Sequence, residues 1–196
     1  EEELFTEYVS AIERLDGRVL TLRTLDLGAD KYTQAQAMEP ERNPFLGLRS
    51  IRYCLQHQDL FRRQLRAILR TSAVGPVQVM FPLITCMNEL LQAKMILNDV
   101  MEECDDDGID FDHNLRLGMM VEVPSAALMA ATFTKEVDFF SIGTNDLIQY
   151  TVAVDRGNER VASLYTAANP AVIKLIKSVI RAARRGKVET FLCGES

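Results

Sequence analysis

A Thr-Asn-Asp tripeptide, residues 144–146, follows directly after an apolar stretch that ends at Gly143. Residues 137–142 are typical of a parallel strand buried on both faces, and Gly143 lets the backbone turn sharply. Parallel α/β folds bind ligands at the carboxyl ends of their strands, so the tripeptide predicts a site there. Arg156 adds a cation beyond it, and a carboxylate near an arginine favours a metal with an anionic substrate. Asp146 is equally compatible with an ordinary helix start.

Further apolar stretches show strand character, and most of them also end in a reactive side chain. Such repetition along the chain is what a fold with one common rim of strand ends would produce. The predicted strands and their ends are Val19–Asp26 with Arg23 and Asp26, Leu115–Pro124 with Glu122, Val188–Glu195 with Cys193, and Val77–Ile84, which offers no ionisable group.

Helical periodicity fills the intervals between these strands. Asn169 is the predicted cap of the last helix and Gly186 its stop. The β-α alternation predicts a parallel sheet with helices outside, and reactive groups at successive strand ends favour a (β/α)8 TIM-type barrel over an open sheet. The predicted helices are Leu4–Leu15, Leu60–Leu69, Glu89–Met101 and Pro170–Arg185.

The chain length predicts an incomplete barrel. A full barrel usually needs about 250 residues, and these 196 residues carry about five of eight strands. We therefore expect one domain over residues 1–196, truncated at both ends, with connecting loops at Tyr32–Pro44 and Cys104–Asn114. The strands near Val19 and Val188 should expose unpaired edges, so the isolated chain is expected to self-associate or to remain loosely packed.

Composition is that of a soluble globular chain, with 47% hydrophobic residues and a formal net charge of -6. The negative charge disfavours a nucleic-acid partner, and the arginines between Arg62 and Arg70 are better explained as one face of a surface helix. No signal peptide or membrane span is expected, because Glu122 and Pro124 interrupt the longest apolar window. Four cysteines without CxxC spacing favour the reducing cytoplasm over a disulfide scaffold or a zinc site.

Seven ordered motifs give the chain a family resemblance over nearly its whole length. It resembles the phosphoenolpyruvate-binding domain of the enzyme I family of the bacterial sugar phosphotransferase system. Pyruvate phosphate dikinase and phosphoenolpyruvate synthase share several of these motifs, and the chain departs from the usual pattern only in having Gly28-Ala29 for two glycines. The motifs are Arg23–Lys31, Asn43–Arg49, Met80–Pro82, Met120–Pro124, Asp138–Leu147, Val154–Gly157 and Cys193–Glu195.

The resemblance implies a metal site and a proton donor. Glu122 and Asp146 match the family's magnesium ligands, and Mg²⁺ prefers such oxygen donors. Ion pairing of Glu122 and helix capping by Asp146 remain the alternatives. Cys193 matches the proton donor, where a neutral thiol can protonate the pyruvate enolate. The alternative is a buried apolar cysteine, as expected for Cys54 and Cys86.

The resemblance also implies the substrate-binding residues. Arg23, Arg49 and Arg156 match arginines that hold the phosphate and carboxylate of phosphoenolpyruvate, with Asn145 beside them, and guanidinium groups bind both oxyanions bidentately. Arg49 has the strongest structural alternative, because it lies in a helical pattern where salt bridges are common.

The implied function is a phosphotransferase that moves the phosphoryl group of phosphoenolpyruvate to an enzyme histidine and on to a histidine-containing phosphocarrier protein, which starts sugar uptake. Neither His57 nor His113 matches the acceptor, so the isolated chain is not expected to phosphorylate itself. The parent protein is expected to be a cytoplasmic homodimer. The alternatives are a piece of pyruvate phosphate dikinase or phosphoenolpyruvate synthase, or a noncatalytic dimerisation piece.

Overall fold

A computed structural model of the chain describes residues 1–28 and 41–194. The fold divides into two compact units, residues 1–82 with 88–116, and residues 83–87 with 117 onward. Most of the predicted loop Tyr32–Pro44 lies outside the described residues, as do Ala29 and Glu195. Each unit is built from parallel strands and the helices that cover them.

The first unit packs two parallel strands against helices. Leu20 of β1 is opposite Val77 of β2, and Arg23 is opposite Met80. The periodicity of α3 buries Phe61, Leu65 and Ile68, which form the centre of this core. The elements are α1 (Glu2–Arg14), β1 (Leu20–Arg23), a 3-10 turn (Pro44–Leu46), α2 (Ile51–Gln56), α3 (Gln58–Ser72), β2 (Val77–Phe81) and α4 (Met87–Asp106).

Three of the four arginines of α3, Arg62, Arg66 and Arg70, lie on one surface face of this helix, as predicted. Acidic residues of α1 and of the α4 region neutralise them: the pairs are Arg62 with Asp99 and Glu103, Arg66 with Glu1 and Asp107, and Arg70 with Glu1 and Glu2. Arg70 also lies over the ring of Phe5, 4.3 Å from its centroid. This charge pairing ties neighbouring helices of the unit together and accounts for the basic residues without a polyanionic ligand.

The second unit contains three strands paired in parallel. Val121 of β3 is opposite Ile142 of β4, and Gly143 is opposite Cys193 of β5. Strand β4 is buried along its whole length. The elements are β3 (Arg116–Val121), α5 (Pro124–Leu128), α6 (Ala130–Phe133), β4 (Phe139–Gly143), α7 (Thr144–Val152), a 3-10 turn (Ala162–Leu164), α8 (Pro170–Gly186) and β5 (Glu189–Cys193).

Strands β1 and β5 are more exposed than the strands they pair with. Phe191 and Leu192 of β5 are exposed, Leu192 by 70%, and Val19 next to β1 is exposed as well. β2 and β4 are buried throughout. This exposure agrees with the expected exposed edges, while the predicted self-association stays a prediction.

The residue that ends α8 and the start of the loop after α4 differ from the predictions. Gly186 is the last residue of α8, and the left-handed residue that ends the helix is Lys187. Gly186 is instead required for packing, because a Cβ there would overlap the side chain of Thr134. Asn169 does cap α8, since its side chain accepts a hydrogen bond from Ala171 N–H at 2.9 Å. The predicted loop from Cys104 starts late, because α4 continues to Asp106.

Candidate active site

Glu122 lies just beyond the carboxyl end of β3 and is buried, with 3% of its surface exposed. Its Oε1 accepts a hydrogen bond from the backbone N–H of Leu83 at 2.7 Å. Because Val121 is opposite Ile142, Glu122 lies beside Gly143. A Cβ at Gly143 would come within 2.7 Å of Glu122 Oε2. Gly143 has a φ of -81°, which any residue can adopt, so a glycine is needed here for the space that this carboxylate occupies and not for the turn.

Asp146 lies in the first turn of α7 and is 5% exposed. The tripeptide does open a helix, but the N-cap of α7 is Gly143 and no side chain caps it, so the alternative of helix capping by Asp146 is wrong. The positive end of the helix dipole stabilises a carboxylate there. Arg156 Nη1 lies 3.6 Å from Asp146 Oδ1. The second unit thus brings Asp146 and Arg156 together, as the spacing predicted.

These two carboxylates fit a magnesium ion by their chemistry. Both are buried oxygen donors, and they follow the carboxyl ends of adjacent strands. Over residues 1–28 and 41–194, no three His, Cys, Asp or Glu side chains cluster closely enough to hold a metal. Two carboxylates suffice for Mg²⁺, which keeps several waters and takes further oxygens from a phosphorylated substrate.

Two polar contacts fix the start of α7. The hydroxyl of Tyr165 donates to the backbone oxygen of Asn145 at 3.0 Å, and the hydroxyl of Thr144 donates to the backbone oxygen of Cys193 at 3.3 Å. Tyr165 is twenty residues from Asn145 in the sequence and belongs to no recognisable pattern. The role of Tyr165 in holding the turn that presents Asn145 and Asp146 therefore has no signal in the sequence.

Cys193 ends β5 and is exposed. Its position in register with Gly143 places it at the same strand end as the residues that open α7. Gly194 follows with a φ of 154°, and a Cβ there would overlap the hydroxyl of Thr144. Because Cys193 is exposed, it is not the buried apolar cysteine that was the alternative for this residue.

The four cysteines should differ sharply in reactivity. Cys54 is buried, and this burial raises its thiol pKa to about 12. Burial also raises the pKa of Cys104. The prediction that Cys86 is a buried apolar cysteine is wrong, because this residue is exposed. Since the thiolate is the nucleophile, Cys54 and Cys104 should resist alkylation at pH 8, whereas the exposed Cys86 and Cys193 should react. Mass spectrometry after brief iodoacetamide treatment checks this. Labelling of Cys54 as fast as Cys193 would contradict the described packing.

In the first unit, Asp26 joins two of the predicted substrate arginines. Arg49 is 4% exposed and donates from Nη2 to both carboxylate oxygens of Asp26, each at 2.9 Å. Arg23 Nη1 lies 3.4 Å from Asp26 Oδ2. Asp26 was predicted at a strand end, but its pairing with the two arginines was not predicted. The salt bridge considered as an alternative for Arg49 is present.

The backbone between these residues explains the contact. Gly28 has a φ of 113°, and a Cβ there would lie 2.9 Å from the Cα of Arg49. Ser50 has a φ of 58°, and its N–H donates to Leu27 O at 2.8 Å. The prediction that Arg49 lies in a helix is wrong, because this residue precedes α2. The backbone around Arg49 takes its conformation from the close approach of Gly28.

The predicted site residues therefore fall into two groups, one in each unit. Arg23 and Arg49 share Asp26 in the first unit. The second unit places its group at and beyond the carboxyl ends of its strands, namely Glu122, Asn145, Asp146, Arg156 and Cys193.

Among the described residues, no helix is long and apolar enough to cross a membrane.

Two solved structures with a similar fold carry citrate lyase or aldolase/citrate lyase family names. A citrate lyase from Burkholderia xenovorans LB400 matches 98% of this chain and 60% of its own, with a TM-score of 0.59 and 14% identity. An aldolase/citrate lyase family protein from Burkholderia cenocepacia J2315 matches 94% and 75%, with a TM-score of 0.56 and 15% identity. At such identities the likeness shows the fold alone, and it confirms the predicted partial TIM-type barrel.

Sequence relatives carry one common name. Phosphoenolpyruvate-protein phosphotransferases from Priestia megaterium, Staphylococcus aureus (strain MSSA476) and Geobacillus stearothermophilus are 50%, 49% and 51% identical to the chain over 195 residues. These alignments cover 100% of the chain and 34% of each relative. The chain therefore spans about a third of the length of these relatives. The family described as "PEP-utilising enzyme, PEP-binding domain" matches residues 1–196, and the chain belongs to this family.

Proposed function

We propose that the chain binds phosphoenolpyruvate together with Mg²⁺ and serves the transfer of its phosphoryl group to a protein histidine. The observation that carries this proposal is the pair of buried carboxylates, Glu122 and Asp146, with Arg156 Nη1 3.6 Å from Asp146. Buried acids beside a cation suit a metal and an oxyanion, and the family and its relatives' names make phosphoenolpyruvate the substrate to test.

Each side chain has a proposed task in this reaction. Glu122 and Asp146 would hold the ion, which when bound neutralises charge on the phosphate oxygens. Arg156 and Asn145 would bind phosphate and carboxylate oxygens of the substrate. The substrate-binding role that the family resemblance implies for Arg23 and Arg49 is part of the same proposal. Guanidinium forks remain charged at any working pH, so they stabilise the transferred charge without a proton transfer.

Cys193 would protonate the organic product. The bond between phosphorus and the enol oxygen breaks, and the phosphoryl group passes to the acceptor histidine. The enolate left behind takes the proton of the Cys193 thiol at its methylene carbon and becomes pyruvate, while the sulfur becomes a thiolate. The thiol then regains a proton from solvent, which its exposed position permits.

Replacing Cys193 should separate binding from chemistry. In the full-length protein, Cys193→Ala should keep phosphoenolpyruvate affinity within about threefold and reduce pyruvate formation by about 10²-fold or more, the usual scale of general acid catalysis. Calorimetry and a coupled pyruvate assay measure the two quantities. Cys86→Ala, which removes another exposed thiol, is the control. Undiminished pyruvate formation in Cys193→Ala would remove the cysteine from the proposal.

Calorimetric titration of the full-length protein tests the function itself. Phosphoenolpyruvate should bind in the presence of Mg²⁺ and lose affinity when EDTA removes the ion. Phosphate should then appear on a histidine, in acid-labile and base-stable form. Absence of binding with Mg²⁺ present would overturn the proposal.

The wider setting follows the same proposal. The phosphohistidine would pass its phosphoryl group to a histidine-containing phosphocarrier protein and so start sugar uptake, with a homodimer acting in the cytoplasm. The shared name of the relatives supports this choice over a dikinase or a synthase.

A further inference from the structure

Two of the proposed substrate arginines, Arg23 and Arg156, have side chains that packing does not fix. Their side chains are 45% and 42% exposed. Arg23 is the last residue of β1, and Arg156 lies four residues beyond the end of α7. The position of each guanidinium group therefore depends on how firmly the backbone is held at the end of β1 and beyond the end of α7.

A buried glutamine holds the backbone in each case. Gln149, 5% exposed, accepts a hydrogen bond at its Oε1 from the backbone N–H of Arg156 at 3.0 Å. Gln64, 2% exposed, accepts one at its Oε1 from Leu25 N–H at 2.9 Å. A backbone N–H beyond a strand or helix has no regular partner, so these carboxamides supply the acceptor that secondary structure does not.

Gln149 is built into the end of α7 as well. Its backbone oxygen accepts from Val154 N–H at 3.1 Å, where Ala153 in the left-handed conformation ends the helix. Gln149 and Asp146 are three residues apart and share a face of this helix. Arg156 thus has two contacts with α7: its backbone N–H donates to Gln149, and its guanidinium group lies beside Asp146.

Gln64 connects three elements of the first unit. Its Nε2 donates to the hydroxyl of Tyr8 on α1 at 3.1 Å and to Arg23 O at 3.5 Å, while its Oε1 takes Leu25 N–H. The carboxamide therefore holds the chain on both sides of residue 24, next to Arg23. Asp26, which contacts Arg23 and Arg49, follows one residue later.

We infer that Gln64 and Gln149 are positioning residues that hold the backbones of Arg23 and Arg156 where their guanidinium groups meet the oxyanions of the substrate. This inference rests on the proposed function. It explains why two buried, uncharged side chains, on helices of different units, each direct an acceptor oxygen at an arginine-bearing segment. Neither glutamine would touch the substrate.

Gln149→Met tests the inference, because methionine has a similar size and lacks the acceptor. In the full-length protein we expect amide hydrogen exchange of the Arg156 segment to accelerate by about tenfold or more, with phosphoenolpyruvate affinity in saturating Mg²⁺ lowered by about tenfold. Gln64→Met should do the same for residues 23–26. Gln149→Glu keeps an acceptor oxygen, so the Arg156 amide should stay protected.

The matched control is Gln78→Met. Gln78 is also buried and bonds through Nε2 to the side chain of Thr21 on β1, but its carboxamide makes no hydrogen bond to a described residue of either arginine segment. This variant should retain wild-type affinity whatever its melting temperature. Unchanged exchange in Gln149→Met, or unchanged affinity despite faster exchange, would overturn the inference. A wild-type protein that binds no phosphoenolpyruvate would instead sink the proposed function, and the exchange measurement would still report whether Gln149 holds Arg156.

Discussion

Asp146→Asn, made in the full-length protein, is expected to lower phosphoryl transfer from phosphoenolpyruvate on the order of 10³-fold while leaving the fold intact. The amide has nearly the shape of the carboxylate but not its charge, so it is a poor ligand for a hard cation. Asp146 is in the first turn of α7 and its ion pair with the half-exposed Arg156 is weak, so little folding energy should be lost.

Ligand-dependent melting separates a metal role from a structural one. Mg²⁺ and phosphoenolpyruvate together, at about 100 times the dissociation constant, should stabilise the wild type by about 2.7 kcal/mol and leave Asp146→Asn almost unshifted. Glu122→Gln should behave likewise, although Leu83 N–H then meets a carboxamide oxygen in place of a carboxylate. Glu102→Gln, on the exposed face of α4, is the control. Wild-type turnover and Mg²⁺ dependence in either site variant would disprove the metal assignment.

Strand ends were the part of the site that sequence could predict. A buried parallel strand needs a continuous apolar stretch, and the first polar residue after it must lie at the rim, so Glu122, Asp146 and Cys193 could be placed before any coordinates. The five predicted strands are all present, each within one to three residues of its predicted ends. The spacing from Asp146 to Arg156 also indicated a contact that the fold provides.

The contacts that hold these residues could not be predicted. Gln64, Gln149 and Tyr165 act through hydrogen bonds to backbone groups seven to forty-one residues away, and a lone buried polar residue leaves no periodic trace. The short helices α5 and α6 escaped notice for a related reason, because five and four residues show too little periodicity. Arg49 was misplaced in a helix because the positive φ of Ser50 has no sequence signal at a serine.

Arg49→Met should give the largest loss of stability among the site variants. Arg49 is almost fully buried, binds Asp26 through two 2.9 Å hydrogen bonds, and lies 5.5 Å from the ring centroid of Phe45. Removing Arg49 leaves the Asp26 carboxylate partly buried beside the exposed Arg23, which should cost about 3 kcal/mol of unfolding free energy. Arg62→Met, which breaks a surface pair with Glu103, should cost about 1 kcal/mol or less.

A double-mutant cycle with Asp26→Asn decides whether Arg49 serves the fold, the substrate or both. The double variant should recover about 2 kcal/mol relative to the sum of the single losses, because no unpaired buried charge remains at this pair. If Arg49 binds a substrate oxyanion, phosphoenolpyruvate affinity must stay low in the double variant although stability returns. Urea unfolding measures the first quantity and calorimetry the second. Affinity that returns together with stability would show that the guanidinium of Arg49 only holds Asp26 in place, and the substrate role would pass to Arg23 and Arg156 alone.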